Sequence, residues 1–371
     1  MPSIVSETIA LLFMCLCPLA ARAGIAPGTQ VKHSLTVTDP DARLGQVERT
    51  FQLALPYATL NDGITPDPTT PFATLSDGIT HDPTTPFAPR GGTNDTSTLY
   101  PVLWYFHGQF GRSNGAAAFS KLGASKGFIT VAPQGLGDGS LGIDTTWSVK
   151  AEGRNDVCKR VLPQFVMSSC RAVKRVASCN WATCYDDVHF IKTLISTLTN
   201  DLKLPADTNR MYMTGLSNGG MMIDYLQTQM PGTWLAAAPW YGAYLTSYLT
   251  DGNQATLKGA SLLALHGEQD KLIPPGGGLD TQAHYYYISE TEAVSRWARA
   301  NGCSTSPRAI TTPYAQHTGQ YKHSCVEYPG CSTGAVVAYC SFPLQAHGFW
   351  PTFGENMTLW FFGSKMHHAK E

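Results

Sequence analysis

Apolar residues form uninterrupted runs in some segments of this chain and recur every three or four positions in others. Three long apolar runs, at residues 99–108, 127–135 and 260–270, have the composition of central strands that are buried on both faces. Residues 186–202 instead carry their apolar side chains at helical spacing, at Val188, Ile191, Leu194, Ile195, Leu198 and Leu202. Together the two patterns predict a buried sheet packed against amphipathic helices.

The remaining segments continue this alternation to the end of the chain. Residues 31–39 and 49–56 predict a pair of antiparallel strands, and residues 289–292, SETE, form a capping box at the start of a helix. Further strands are predicted at residues 210–217, 235–244 and 336–342, and further helices at 219–230, 288–303 and 355–363. Strands that alternate with helices predict a single α/β domain, in which one mostly parallel sheet has helices on both faces.

Composition and charge narrow the range of functions. The 371 residues are 43% hydrophobic, which is enough for a large core, and only 14% of them are charged. The formal net charge is -1, so the chain lacks the basic excess with which proteins neutralise nucleic-acid phosphates. We therefore expect no nucleic-acid partner.

The first 23 residues have the features of a secretory signal peptide. An apolar run, IALLFMCLCPLA, precedes Ala21-Arg22-Ala23, which is a small-x-small cleavage site. A membrane anchor is the alternative, but the run is shorter than the ~20 apolar residues that span a bilayer. We expect residues 1–23 to be removed and the protein to be secreted, extracellular and without membrane contact. We expect residues 24–371 to form one domain.

The number and grouping of the cysteines are consistent with secretion. Cys15 and Cys17 would leave with the signal peptide, and the other eight lie in two groups of four: Cys158, Cys170, Cys179 and Cys184, then Cys303, Cys325, Cys331 and Cys340. Pairing within each group allows three connectivities per group, or nine in all. Neither group has the ligand spacing of a zinc site. We expect disulfides formed in an oxidising compartment and no metal.

A duplicated stretch interrupts the N-terminal part of the chain. Residues 57–71, YATLNDGITPDPTTP, are followed directly by FATLSDGITHDPTTP at residues 72–86. Two short copies are too few to build a repeat core, and each copy contains Asp-Gly and prolines, which are turn signals. We expect residues 57–98 to form an exposed insertion.

The segment TGLSNGGMM, residues 214–222, joins a predicted strand to a predicted helix. Residues 215–219 match the pattern G-x-S-x-G, in which small neighbours allow strand and helix to approach closely around a serine on a sharp turn. An ordinary tight turn is the alternative interpretation. The context of strand before and helix after favours a nucleophile, Ser217.

A nucleophilic serine needs a base, and the base needs an acid that orients it. Where a serine nucleophile lies on a sharp strand-to-helix turn, the three groups follow one another along the chain in the order serine, acid, histidine. Asp270 ends a buried strand, whereas its competitor Asp280 lies beyond a Pro- and Gly-rich loop. Among the later histidines, His317 and His323 lie in a polar segment, whereas His347 follows the last predicted strand. We expect Asp270 and His347 to complete the site.

Two backbone N–H groups are expected to form an oxyanion hole. Asn218 follows the serine at the start of a helix, and Gln109 follows His107-Gly108 at the end of a buried strand. His107 and His266 occupy similar His-Gly steps at strand ends. We interpret both histidines as architectural.

Aromatic residues near predicted strand ends are candidates for substrate binding, because stacked rings suit a phenolic acyl group or a sugar face. They are Trp147, Trp240, Tyr241 and Trp350. The alternative is that several of them are core residues, and for Trp240 the two interpretations are equally supported.

Seven segments, in their order along the chain, resemble the secreted feruloyl esterases and polyhydroxybutyrate depolymerases, which are α/β-hydrolases of the carbohydrate esterase family one type. They are the strand ending in HGQ, VAPQG, YDDVHFI, YMTGLSNGGMM, LLALHGEQDKLIPPGGG, WARANGC and HGFWP with the following LWFF helix, within residues 99–363. The resemblance implies the α/β-hydrolase fold. It also implies a catalytic triad of Ser217, Asp270 and His347 that needs no cofactor.

These features favour a secreted serine carboxylesterase of the feruloyl esterase type, which hydrolyses phenolic esters on plant cell-wall polysaccharide. Its expected partner is an ester substrate linked to a polysaccharide or another polymer. Polyhydroxybutyrate depolymerase and acetyl xylan esterase are the alternative ester hydrolases, and a serine peptidase of the same fold is a third. A non-catalytic secreted binding protein is the alternative outside the enzymes.

Overall fold

The buried apolar runs form the centre of one large sheet. The computed structural model describes residues 28–56, 90–92, 95–138, 145–149, 167–174, 183–246, 254–279, 285–310, 321–348 and 352–366. Within these ranges the strands are β1 (Val31–Thr38), β2 (Gln46–Ala54), β3 (Arg90–Gly92), β4 (Asp95–Phe106), β5 (Ile129–Pro133), β6 (Leu136–Gly137), β7 (Thr145–Thr146), β8 (Ala206–Leu216), β9 (Ala236–Trp240), β10 (Ser261–Gly267), β11 (Gly278–Leu279), β12 (Tyr286–Tyr287), β13 (Arg308–Ile310), β14 (Ser324–Tyr328) and β15 (Val337–Phe342).

The helices alternate with the central strands. They are α1 (Ala117–Ser125), α2 (Ser168–Ala172), α3 (Asp187–Ser196), α4 (Asn218–Gln229), α5 (Glu290–Ala300) and α6 (Thr352–Met366). Short 3-10 turns cover Ser113–Ala116 and Gln254–Leu257, and a π-helical turn at Thr197–Asp201 extends α3. Asp186 caps α3 by accepting the His189 N–H, and Ser289 caps α5 by accepting the Glu292 N–H.

The described part of the main sheet has ten strands in the order β1-β2-β5-β4-β8-β9-β10-β15-β14-β13, and β3 pairs with β4 as an eleventh. The six strands from β5 to β15 are parallel, whereas β1, β2, β14 and β13 add antiparallel edges. The chain leaves β4 toward β5 and later returns to the other side of β4 with β8. Ligands of open α/β sheets bind at the carboxyl ends of the strands where the order reverses in this way.

Helices cover both faces of the sheet. Along β4, the side chains of Val102, Trp104 and Phe106 pack into a core with α3, α4 and α5. The intervening Leu103 and Tyr105 pack on the other face with α1 and α6. Because successive side chains of a strand point to opposite faces, burial of both sets explains why the central strands are continuous apolar runs. The predicted α/β class and the mostly parallel sheet are confirmed.

Three disulfides join residues within the two cysteine groups recognised in the sequence. They are Cys170–Cys184, Cys303–Cys331 and Cys325–Cys340. The last of these links β14 to its neighbour β15, and thereby fastens the antiparallel edge to the parallel centre. Cys158 and Cys179 lie outside the described residues.

Several sequence predictions fall wholly or partly outside the described ranges. They concern the signal peptide, the duplicated copies at residues 57–86, Asp280, His317 and Trp350. The end of the predicted insertion is described: β3 and the first residues of β4 pair as antiparallel strands. The insertion therefore ends in a strand that continues into the centre of the sheet.

Candidate active site

Ser217 occupies a strained turn between β8 and α4. Its φ of 55° and ψ of -121° are unusual for a residue with a side chain, and such conformations concentrate at functional sites. The Ser217 N–H donates to Trp240 O at 3.0 Å, which anchors the turn to the end of β9. This backbone geometry is that of the strand-to-helix elbow that presents a nucleophile in α/β-hydrolases.

The glycines on either side of Ser217 allow β4 to approach the turn. A Cβ atom on Gly215 would lie 2.5 Å from Phe106 O, and one on Gly219 would collide with the carbonyls of Phe106 and His107. Phe106 and Gly215 are direct partners in the parallel pairing of β4 with β8. Glycine at these positions is therefore a requirement of close packing, as the G-x-S-x-G pattern indicates.

The structure brings Ser217, His347 and Asp270 together although they are far apart in the chain. His347 Nε2 lies 2.8 Å from Ser217 Oγ, and His347 Nδ1 lies 2.8 Å from Asp270 Oδ2. The loops that carry Asp270 and His347 meet because β10 and β15 are adjacent parallel strands. The His347 side chain is 20% exposed, so a substrate can reach it, whereas the Asp270 side chain is fully buried.

Asp270 is held as a carboxylate by several hydrogen bonds. Its Oδ1 accepts the backbone N–H groups of Leu272 and Ile273, each at 2.9 Å. Burial alone would raise the pKa of Asp270, but hydrogen bonds from His266 and His347 outweigh burial and hold that pKa below its ordinary value. An ionised Asp270 requires a proton on His347 Nδ1, and Nε2 is then free to accept the Ser217 hydroxyl proton.

The loop after β4 lies against the serine. A Cβ atom on Gly108 would be 3.4 Å from Ser217 Cβ, and the Gly111 N–H closes a turn onto Gly108 O at 2.9 Å. The backbone N–H groups of Gln109 and Asn218 donate to no acceptor among the described residues. Asn218 directly follows Ser217, and Gln109 directly follows Gly108, which is expected of oxyanion-hole donors.

His107 supports this loop from the inside. Its Nε2 accepts the Gly135 N–H at 2.9 Å, so its proton is on Nδ1, which donates to Gly108 O at 2.7 Å. Burial lowers the pKa of His107 to about 4, and the imidazole is therefore neutral. His107 is an architectural residue, in agreement with the interpretation of the sequence.

Trp147 and Trp240 are core residues, so the alternative interpretation holds for both and the prediction that they bind substrate is wrong. Neither side chain has exposed surface. The Trp147 indole N–H donates to His107 O at 2.8 Å, and the Trp240 indole N–H donates to Thr358 Oγ1 at 3.2 Å. Trp240 is the last residue of β9, and its ring faces α6, so it stacks within the second core. Trp350 lies outside the described residues.

Tyr241 is adjacent to the triad but nearly buried. Its ring packs against the His347 imidazole with 4.9 Å between centroids, and only 3% of the residue is exposed. Tyr241 has a φ of 35°, which is rare for an aromatic residue, and its N–H donates to Leu265 O at 2.7 Å. The Tyr241 ring therefore forms one wall of the pocket around His347. Little of the tyrosine surface is left for contact with a substrate.

A buried ion pair supports the segment that contains Trp147. Arg49 of β2 is hydrogen-bonded to Asp187, the first residue of α3, and also lies over the Phe190 ring. The other carboxylate oxygen of Asp187 accepts the Ser148 N–H at 2.6 Å. The chain of contacts from Arg49 to Ser148 thus fixes the residues that hold the loop after β4.

Two residues near Ser217, His347 and Asp270 have a setting that the sequence did not show: Phe110 was not singled out, and His266 was interpreted only as architectural. Phe110 follows Gln109, has a φ of 60° and is 62% exposed, which makes it a bulky aromatic residue in a left-handed conformation beside the candidate oxyanion hole. His266 lies within 3.3 Å of the Asp270 carboxylate. In the sequence, Phe110 was detectable only as an aromatic residue after HGQ. His266 resembled His107 in its local sequence.

Neither a metal centre nor a membrane helix is visible in the described ranges. No group of three or more His, Cys, Asp or Glu side chains there is arranged to hold a metal ion. No helix in the same ranges is long and apolar enough to cross a bilayer.

Comparisons with known proteins agree with this fold. No family model matches the chain. Feruloyl esterase B from Piromyces equi is 28% identical over 167 residues, which are 44% of this chain and 29% of that protein. The structure of an acetyl xylan esterase from Aspergillus awamori is similar with a TM-score of 0.50 and 12% identity, over 90% of this chain and 99% of that one. The chain has the α/β-hydrolase fold.

Proposed function

We propose that this protein is a serine carboxylesterase in which Ser217 is the nucleophile, His347 the general base and Asp270 the residue that orients the base. The observation that carries the proposal is the continuous hydrogen-bonded path from Ser217 Oγ through His347 to Asp270, with 2.8 Å at both steps. The partial similarity to a feruloyl esterase supports ester substrates.

The geometry accounts for a two-step acyl transfer. Ser217 Oγ attacks the ester carbonyl carbon while its proton moves to His347 Nε2, and Asp270 stabilises the imidazolium that forms. The carbonyl oxygen becomes an oxyanion, which accepts the N–H groups of Gln109 and Asn218. Collapse of this intermediate breaks the bond to the alcohol, which leaves with the proton from His347. The acyl group remains on Ser217.

The second step regenerates the enzyme. His347 takes a proton from water, whose oxygen attacks the acyl carbonyl, and the same two N–H groups receive the second oxyanion. The bond to Ser217 Oγ then breaks, and Ser217 recovers its proton from His347. The products are a carboxylic acid and an alcohol, and every proton transfer uses groups of the protein or water.

Phenolic esters on plant cell-wall polysaccharide are the proposed substrates. The feruloyl esterase relative supports a hydroxycinnamoyl acyl group, and Phe110 offers an exposed ring next to the candidate oxyanion hole. Aromatic rings that meet in an offset or edge-on arrangement contribute about 0.5–1.5 kcal/mol beyond their buried area. Phe110 thereby replaces Trp147 and Trp240 as the candidate that contacts the acyl group.

The proposed location is extracellular. The disulfides Cys170–Cys184, Cys303–Cys331 and Cys325–Cys340 fit an oxidising compartment. The predicted signal peptide at residues 1–23 is consistent with this location. Secretion would bring the enzyme to polymeric esters outside the cell.

A substrate panel tests the proposal. Wild-type protein and Ser217→Ala are assayed with methyl ferulate, acetylated xylan, poly-3-hydroxybutyrate and a peptide p-nitroanilide. We expect the highest kcat/KM on methyl ferulate, and a loss of about a thousandfold or more in Ser217→Ala with its circular dichroism spectrum unchanged. A preference for acetylated xylan or poly-3-hydroxybutyrate would show that this polymer, and not a phenolic ester, is the substrate. Cleavage of the peptide p-nitroanilide would indicate a peptidase. Wild-type rates no higher than those of Ser217→Ala would indicate a binding protein.

A further inference from the structure

A second imidazole contacts the carboxylate of Asp270. His266, near the end of β10, places its Nε2 atom 3.3 Å from Asp270 Oδ2, the oxygen that also accepts from His347. The His266 side chain is completely buried. It therefore has no access to substrate, and its effect on the site must pass through Asp270.

Both ring nitrogens of His266 face groups that only accept hydrogen bonds. Nε2 lies 2.8 Å from Ile273 O, and Nδ1 lies 3.3 Å from Glu290 Oε2. A carbonyl and a carboxylate cannot donate, so each nitrogen of the ring carries a hydrogen and the ring is an imidazolium. Burial alone would lower the pKa of His266, but hydrogen bonds to Asp270 and Glu290 outweigh burial and raise it to about 9.

The other ionisable groups around His266 come from two further elements. Asp224 of α4 is buried, and desolvation together with the Glu290 charge raises its pKa well above the ordinary value. Tyr244, which follows β9, is also buried, and burial raises the pKa of its hydroxyl. Tyr244 is therefore neutral at pH 7, and the shift of Asp224 favours its uncharged form. One cation, His266, then lies between two carboxylates, Asp270 and Glu290.

His266 and Asp270 are tied to the same short turn. Ile273 donates its N–H to Asp270 Oδ1 at 2.9 Å, while its carbonyl oxygen accepts from His266 at 2.8 Å. The carboxylate is thus held at one oxygen by backbone N–H groups and at the other by two imidazoles. These contacts restrain the carboxylate from rotating away from His347.

We propose that His266 is a positioning residue for the ester hydrolysis described above: as a buried imidazolium it fixes Asp270 Oδ2 and keeps Asp270 ionised throughout the cycle. This role rests on the proposed function of the triad. During turnover the proton of Ser217 moves to His347 and on to the leaving alcohol, while the protons on His266 stay in place. Glu290 supports the role by holding the second proton of the ring.

The test compares His266→Gln and Glu290→Gln with wild-type protein on p-nitrophenyl acetate. Glutamine can still donate to Ile273 O, but it carries no charge. We expect kcat of His266→Gln to fall about tenfold with little change in KM. We also expect the acidic limb of the kcat/KM profile to move to higher pH, because loss of the cation leaves the Asp270 charge to stabilise protonated His347. Glu290→Gln changes both quantities in the same direction by smaller amounts.

Asn301→Ala is the matched control, because Asn301 is buried at the opposite end of α5 from Glu290. Its side chain donates to Leu257 O, Ala260 O and Trp297 O, so its loss lowers the Tm without touching the carboxylates. We expect kcat and the pH profile of Asn301→Ala to match the wild type at temperatures below its Tm. A His266→Gln variant that behaves like this control, with a lower Tm and unchanged kinetics, would overturn the positioning role.

The charge on His266 is measured independently of activity. In protein labelled with nitrogen-15 at histidine, we expect the ring nitrogens of His266 to have the shifts of two protonated nitrogens at pH 7. A single protonated nitrogen would overturn the buried imidazolium. Absence of ester hydrolysis in the wild type would instead contradict the proposed function, and the resonances of His266 would still report its charge.

Discussion

The backbone N–H of Trp147 donates a 2.7 Å hydrogen bond to the side-chain oxygen of Asn218, the residue that follows Ser217. The hydroxyl of Thr146 donates to the same oxygen at 2.9 Å. The Trp147 indole in turn holds the carbonyl of His107, directly before the loop that carries Gln109. One side chain, Asn218, therefore connects both of the proposed oxyanion donors through a buried segment.

Asn218→Ala tests this connection. The substitution leaves the Thr146 hydroxyl and the Trp147 N–H buried without an acceptor, which costs about 1–3 kcal/mol for each group. We expect a lower free energy of unfolding and a kcat about tenfold lower, because the Gln109 loop loses its support. Asn218→Asp keeps the accepting oxygen and is expected to retain more stability than Asn218→Ala. An Asn218→Ala variant as stable and active as the wild type would refute the connection.

Gly215→Ala tests the close approach of β4 to the nucleophile turn. The new methyl group would lie 2.5 Å from Phe106 O, a backbone atom that cannot move without disturbing the pairing of β4 with β8. We expect a destabilisation of about 2 kcal/mol or more and loss of activity. Gly115→Ala is the control, because no atom lies within 4 Å of its added Cβ. Its free energy of unfolding is expected to change by less than about 1 kcal/mol, as measured by urea denaturation. Equal effects of the two substitutions would contradict the steric account.

The pH dependence of stability tests the charge on His266. A histidine whose pKa is higher in the folded state contributes stability below the unfolded pKa of ~6.5 and loses that contribution as pH rises through the folded pKa. For His266 the folded pKa is about 9. Between these two pH values we expect the free energy of unfolding of the wild type to fall by on the order of 2 kcal/mol more than that of His266→Gln. Parallel pH profiles for the two proteins in urea denaturation would show that His266 is neutral.

Phe110→Ala tests the proposed acyl contact. The substitution removes a ring that is 62% exposed, so we expect little change in the Tm. For methyl ferulate we expect kcat/KM to fall about two- to tenfold, the range that one aromatic pair supplies, whereas p-nitrophenyl acetate is hydrolysed at the wild-type rate. Leu202→Ala, at a partly exposed residue before the amino end of β8, is the control and affects neither substrate. Equal losses on both substrates would argue against a contact with the aromatic acyl group.

The centre of the fold could be predicted from the sequence because burial on both faces leaves a strong local signal. The edge could not be predicted in the same way. The strands Arg308–Ile310 and Ser324–Tyr328 are short and partly exposed, so they show little periodicity. Their places in the sheet depend on pairing with Val337–Phe342 and on the Cys325–Cys340 disulfide. Such long-range constraints are not readable from a single segment.

The candidate site likewise has residues that could be predicted from the sequence and residues that could not. Ser217, Asp270 and His347 could be located because the turn pattern and the order of strands restrict where each group can lie. Trp147 and Trp240 were misassigned because a position near a strand end does not reveal which side the ring faces: Trp240 turns toward the last helix. His107 and His266 share a local pattern, and their different roles depend on distant partners, such as Glu290.

The most direct test of the account is to trap the acyl group on the nucleophile. Wild-type protein is mixed with excess p-nitrophenyl acetate, quenched with acid within the first turnovers, digested and analysed by mass spectrometry. We expect a burst of p-nitrophenol close to one equivalent per protein and an acetyl group on the peptide that contains Ser217, with neither in Ser217→Ala. An acetyl group on a different residue, or equal p-nitrophenol release by the two proteins, would contradict the assignment of Ser217 as the nucleophile.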